Sequence, residues 1–247
     1  MNPYYLYNLA EDDTLVDELE KMYISTIDIE HYNTIVYRGE NETYHSKINK
    51  FENYEEAKKI FDILLLNEIP INKNDPEYKV GEIAQINFCG GSLDWKDYPK
   101  IYNWIKRKSF EIFGDELLIR KSETTSNIVM PKCSIDNPLR TLYSTGCILQ
   151  NHRDHQYNSA STQYDFIKPA NILIYLNKNY NKENGGLFIV EDTIEVMPEY
   201  GTIVFLNFMN GSDPSHQVSK VVGSDNRFAL LFNITYSKKE REIWKIQ

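Results

Sequence analysis

His152 and Asp154 stand two residues apart at the end of the run Y-S-T-G-C-I-L-Q-N-H-R-D, residues 143–154. On a strand, residues two apart project from the same face, so the pair would set an imidazole beside a carboxylate. That is half of a metal site. A second histidine, His216, comes much later, just ahead of another strand-like run, and Arg227 opens the next one as R-F-A-L-L-F. Two imidazoles and one carboxylate make the facial triad that holds a non-haem Fe(II) ion and leaves positions open around it. Taken alone, His-x-Asp is as well explained by two surface side chains. The order His152, Asp154, His216, Arg227 is what points to chemistry.

Such side chains need a rigid frame, and from Asn127 onward the chain reads as short strand-like runs separated by turn chemistry. The runs are 139–149, 171–176, 187–191, 194–197, 202–206, 217–222 and 227–236. Ahead of them three helices are expected. Leu15, Leu19, Met22 and Tyr23 recur at helical spacing behind Asp12, Asp13 and Thr14 as caps. Asn53 and Glu56 resemble a capping box before the stripe Ala57, Ile60, Phe61, Leu64 and Leu65, which Pro70 ends. Asp97 and Pro99 open a third helix carrying Ile101, Trp104 and Ile105, with Gly114 as its stop. Short strands are expected at 35–37 and 82–88, the latter inside a loop-rich stretch, 72–97, that either reaches over a pocket mouth or simply connects.

The runs I-L-I-Y-L and T-I-V-F-L are apolar throughout, which predicts cover on both faces. Two sheets with helices behind one of them provide it. The expected fold is therefore mainly β with supporting α-helices: a double-stranded β-helix (jelly roll, cupin-like) core with the N-terminal helices packed on one sheet. With no repeat or linker in view, residues 1–247 are expected to form a single domain, 1–125 as helical and loop support and 126–247 as the jelly-roll core.

The ordered set His152-x-Asp154, His216 and Arg227 resembles the Fe(II)/2-oxoglutarate-dependent dioxygenase superfamily, and within it the prolyl 4-hydroxylase-like branch. Tyr143, Tyr175 in Y-L-N-K, Gly185-Gly186 before L-F-I-V-E, and S-H-Q-V around His216 extend the resemblance over roughly the last half of the chain. It implies His152, Asp154 and His216 as Fe(II) ligands, with 2-oxoglutarate and O2 as cosubstrates. Arg227 would grip the distal carboxylate of 2-oxoglutarate with its planar fork, helped by the hydroxyls of Tyr143 and Tyr175. The implied reaction splits 2-oxoglutarate into succinate and carbon dioxide and hydroxylates an unactivated C–H bond. Where the family often has a hydroxyl residue four after the arginine, this chain has Leu231. Asp154 argues against the halogenating relatives, which have a small residue there.

His155 would face away from the metal on a strand, as pocket lining, and with Arg153 and Tyr157 it is a candidate for substrate contact. The polar segment 156–169 resembles a substrate loop. The substrate implied first is a prolyl residue in a peptide or protein; a free amino acid or other small metabolite is the alternative. A metal-free jelly-roll binding protein is the reading from another class, and four filled site positions argue against it. A nucleic-acid dealkylase would carry a second arginine where this chain has Asn233.

The net charge of −9 also disfavours a broad nucleic-acid footprint. The dense basic clusters, Lys106-Arg107-Lys108 and Lys238-Lys239-Glu240-Arg241, read as a solvated helix face and a tail. Cys89, Cys133 and Cys147 are odd in number and lie in apolar surroundings, which predicts reduced thiols. With neither a signal-peptide pattern nor a membrane-length apolar run, a cytoplasmic setting is expected.

Overall fold

In a computed structural model, the residues described are 2–28, 32–38, 84–114, 120–121, 127–154, 166–209 and 212–245. The helix expected at 53–65 lies outside them, as do His155 and Tyr157.

Eight strands form the frame of the site: β6 (Leu139–Tyr143), β7 (Ile148–His152), β8 (Phe166–Tyr175), β9 (Phe188–Val190), β10 (Ile194–Val196), β11 (Thr202–Asn207), β12 (His216–Val218) and β13 (Arg227–Lys245). Antiparallel pairing orders four of them as β11-β8-β13-β6 and the other four as β7-β12-β9-β10. The chain passes from one group to the other between β6 and β7, β7 and β8, β8 and β9, β10 and β11, β11 and β12, and β12 and β13. That alternation is the double-stranded β-helix. Strand β1 (Tyr4–Asn8) extends the first sheet along β11, and β3 (Ala84–Ser92) pairs with both β6 and β7, carrying β2 (Asn33–Arg38) on its other edge.

The two-faced burial of the first sheet follows from its sequence. Ile172, Ile174, Ile203, Phe205 and Leu230 face helices α1 (Val16–Ile27) and α2 (Pro99–Phe113), in one cluster with Leu19, Met22, Ile101, Ile105 and Phe113. Tyr175, Val204, Leu206 and Ala229 face inward, against Phe188, Val190 and Val218 of the second sheet. Each such side chain removed from water contributes about 1.5–3 kcal/mol, so continuous apolar runs are affordable only where both faces are covered.

The helix starts differ from expectation, while α2 ends at Gly114 as expected. Asp12 accepts from the Thr14 backbone N–H at 3.0 Å and its hydroxyl at 2.6 Å, so it stabilises the turn before α1, which starts after Leu15 with no side-chain cap. Asp97 does not cap α2 either. Glu18 of α1 accepts from the N–H groups of Lys100 and Ile101 at 3.0 and 2.9 Å, so one helix satisfies the exposed donors of the next.

Three runs were drawn too simply. The expected strand 139–149 is two strands, broken by a turn in which Gly146 takes φ 89° and Cys147 N–H donates to Ser144 O at 2.9 Å. Residues 166–169, expected in a loop, begin β8. The basic stretch 238–241 is neither tail nor helix but part of β13, which runs on to pair with β5 (Asn127–Ile135), itself paired with β4 (Arg120–Lys121). Lys106 of the other basic cluster is buried and bonded to Glu242 at 2.8 Å.

Candidate metal centre

The second sheet carries the histidines. His216 starts β12 directly opposite His152 at the end of β7, and the ring centroids are 4.2 Å apart. Between Leu149 and His152 the register shifts by a bulge, which turns both residues into the same cavity although they are three apart. Asp154 lies just past β7. Its Oδ1 is 3.3 Å from His152 Nε2 and 3.8 Å from His216 Nε2, and the three ligand atoms all fall within 4.8 Å of one another.

The electrostatics suit a divalent cation. His216 Nδ1 lies 3.1 Å from the Pro214 carbonyl, so Nδ1 carries the proton and Nε2 presents its lone pair to the cluster. Burial, with His152 beside it, pulls the His216 imidazole down to about 4, so it is neutral at ordinary pH. Burial pushes the Asp154 carboxyl up, but the hydrogen bond from His152, with the pull of the two imidazoles where they become protonated at acid pH, outweighs it and leaves it below the usual carboxylate value.

The far wall of the cavity holds Arg227, only 1% exposed. It sits opposite Tyr143 in the β13–β6 register, and its guanidinium carbon lies 4.8 Å from the Tyr143 ring centroid and 4.9 Å from that of Tyr175. Nε and Nη2 of Arg227 and the hydroxyl of Tyr175 have no hydrogen-bond partner. Burial raises both tyrosines, Tyr175 to about 12, with Arg227 opposing the shift, so both hydroxyls stay protonated and able to donate. A buried cation and a hydroxyl left without partners are costly unless an anion meets them. The distal carboxylate of 2-oxoglutarate is such an anion, and the fit is good. Leu231 also lines this cavity, with no hydroxyl to offer.

Two devices hold Arg227 in place. The Asn177 side chain accepts from Phe228 N–H at 2.6 Å and donates to Phe228 O at 3.0 Å, which ties the chain after β8 to β13 one residue beyond Arg227. Gly186 has φ 63°, and a Cβ there would come within 2.7 Å of Tyr180 Oη and 3.0 Å of Arg227 Cδ. Gly186→Ala is therefore expected to cost about 1–3 kcal/mol of stability from backbone strain and to weaken 2-oxoglutarate binding by displacing the guanidinium. Thermal melts and a cosubstrate titration of the same variant check both effects.

Of the remaining sequence candidates, Arg153 is exposed and donates to the Asp213 carbonyl at 2.5 Å, which joins the end of β7 to the stretch before β12. His155 and Tyr157 lie outside the described residues. Sequence reading missed Asn171, whose Nδ2 donates to Asp154 Oδ2, and Cys89, which lines the cavity from β3. A lone amide inside the apolar run A-N-I-L-I-Y was the one available signal for Asn171.

Fold and site together are a jelly roll with a three-residue cluster able to hold a metal ion and, in the same cavity, a buried guanidinium able to meet an anion. Residues 140–235 match the model of the 2OG-Fe(II) oxygenase superfamily, and that stretch contains His152, Asp154, His216 and Arg227. The matched stretch is thus the part of the chain that bears the site, and the cluster of His152, Asp154 and His216 within it could hold a metal ion. Among solved structures, the chain is similar to the viral collagen prolyl hydroxylase vCPH from Paramecium Bursaria Chlorella virus-1 in complex with 2OG, at 13% identity over 96% of this chain and 97% of that one, TM-score 0.48. It is similar also to a Pseudomonas putida prolyl-4-hydroxylase, at 9% identity over 97% and 95%, TM-score 0.44. A third is a prolyl hydroxylase from Trichoplax adhaerens in complex with a hypoxia inducible factor peptide fragment, at 12% over 92% and 94%, TM-score 0.41. No curated protein matches the chain. Among the described residues, no helix is long and apolar enough to cross a membrane.

Proposed function

We propose that the protein is a 2-oxoglutarate-dependent non-haem iron dioxygenase, a hydroxylase of the prolyl 4-hydroxylase type acting on a prolyl residue in a peptide or protein. The observation that carries the cosubstrate half of the reading is the buried, unpartnered fork of Arg227 in the same cavity as the His152, Asp154 and His216 cluster. Fe(II) held by those three residues supplies, with 2-oxoglutarate and O2, oxidative decarboxylation coupled to C–H hydroxylation. The chain's own work is to bind, orient and keep dry. His216 Nε2, His152 and Asp154 Oδ1 would hold the ion. Arg227 and the Tyr175 hydroxyl fix the far carboxylate of the cosubstrate, with Tyr143 stacked against the guanidinium. Leu149, Leu173, Leu206 and Val218 line the walls between and exclude water.

The cavity volume favours a substrate that stays largely outside. At about 260 Å³ it lies at the small end of ligand sites, so a five-carbon diacid takes up much of it. A peptide can present one residue to the cavity, with Arg153, His155 and Tyr157 as the candidates to contact it. The acidic chain, net charge −9, does not favour nucleic acid.

The test is succinate formation by the Fe(II) protein with a panel of proline-containing peptides, free amino acids and nucleosides. Coupled turnover with a prolyl peptide, and its loss when that proline is replaced by alanine, is the expected result. Turnover confined to a free amino acid would replace the peptide reading with the small-metabolite one.

A further inference from the structure

The two oxygens of Asp154 have different neighbours. Oδ1 lies inside the cluster, 3.3 Å from His152 Nε2 and 3.8 Å from His216 Nε2. Oδ2 accepts a hydrogen bond from Asn171 Nδ2. Asn171 is on β8, opposite Leu206 on one side and Asn233 on the other, and it is 8% exposed. Its same-face neighbours along the strand are Leu173 and Tyr175. An amide at such a place forfeits hydration, and its Oδ1 has no partner to compensate. An apolar side chain of the same size would pack there without that cost, so packing alone does not account for the residue.

We infer that Asn171 is a positioning residue which makes Asp154 a one-oxygen ligand, holding Oδ2 so that only Oδ1 meets the metal. The inference rests on the metal-site reading above. Its consequence is in the count of coordination positions. Three protein atoms on a six-coordinate ion leave three positions: two for a chelating 2-oxo acid and one for O2. A carboxylate gripping through both oxygens would take a fourth, and cosubstrate and O2 could no longer bind together. The β8 amide keeps the third position open from outside the ligand set, as partners of metal-bound side chains commonly do.

The experiment compares wild type with Asn171→Leu, which keeps the volume on an apolar face, and Asn171→Ala. Each is loaded with Co(II), its visible absorption recorded, and then titrated with 2-oxoglutarate; melting temperatures are measured alongside. Both variants are expected to retain Co(II), to show an altered ligand-field spectrum before cosubstrate is added, and to bind 2-oxoglutarate about 10–100-fold more weakly. Wild-type spectra and wild-type 2-oxoglutarate affinity in the variants, with only the melting temperature moved, would overturn the inference and leave Asn171 a structural residue. If neither variant folds, a crystal structure of the Mn(II)-loaded wild type decides: one Asp154 oxygen on the ion and the other on Asn171 supports the inference, and both oxygens on the ion overturns it. Failure of the reading beneath it looks different, since wild type itself would then take up no Co(II) or show no spectral response to 2-oxoglutarate.

Discussion

Arg227→Ala is expected to lower 2-oxoglutarate affinity by a hundredfold or more while Fe(II) or Mn(II) binding barely changes. The guanidinium is buried, its Nε and Nη2 have no protein partner, and it shares a cavity with the metal cluster without belonging to it. Without it, the distal carboxylate enters a closed site with no cation to meet. A broken buried ion pair costs about 3–5 kcal/mol, which is the source of that factor. Arg227→Lys should rescue only part of the loss, because it keeps the charge but not the planar fork. Arg227→Met, close in length, should fold with a melting temperature at least equal to that of wild type in the absence of cosubstrate. It removes two unsatisfied buried donors, though it also gives up the contacts of the guanidinium with the Tyr143 and Tyr175 rings. Calorimetric titrations of metal and of 2-oxoglutarate, with thermal melts, separate these outcomes. Equal cosubstrate affinity in Arg227→Ala and wild type would reduce the site to a three-ligand metal centre of other chemistry.

His152→Ala, Asp154→Ala and His216→Ala are each expected to abolish turnover and to weaken Fe(II) or Mn(II) binding by more than about 100-fold, beyond the effect usual for residues that only support a ligand. The reason is geometric. The three ligand atoms already lie within 4.8 Å of one another, and the Pro214 carbonyl aims His216 Nε2 into the cluster. His155→Ala should keep metal binding. Equilibrium dialysis with metal analysis, paired with succinate assays, checks all four variants; full activity in Asp154→Ala would sink the ligand assignment, and metal loss in His155→Ala would show that the register of the ligand strand is wrong.

The residues that the fold brings together in the cavity were legible because they interrupt apolar runs. His152 and His216 end or begin strands, and Arg227 opens R-F-A-L-L-F, where a buried charge needs a reason. The strands β8, β11 and β13 were legible for the complementary reason, since long apolar runs fit only a doubly covered sheet. What could not be read was set by partners distant in sequence. Tyr4–Asn8 has no clear alternation and becomes a strand because β11 has an edge to fill. The charged segment after Tyr236 reads as solvated tail, yet its pairing with β5 makes it strand, and Lys132–Glu240 at 2.7 Å and Lys106–Glu242 at 2.8 Å accommodate its charges. The α2 cap comes from Glu18, which no local capping rule would select. Asn171 matters only because the fold places Asp154 beside it. The bulge in β7 has no signal in Q-N-H either, although it decides which way His152 points.

On the proposed reading, 2-oxoglutarate binds in the Arg227 cavity directly on an Fe(II) held by His152, Asp154 and His216. Anaerobic titration of the Fe(II)-loaded wild-type protein with 2-oxoglutarate, followed by visible absorption, tests it most directly. The expected result is a saturable metal-to-ligand charge-transfer band at one cosubstrate per iron, with succinate appearing when O2 is admitted together with a substrate. An iron-loaded protein that develops no such band at any 2-oxoglutarate concentration would contradict it.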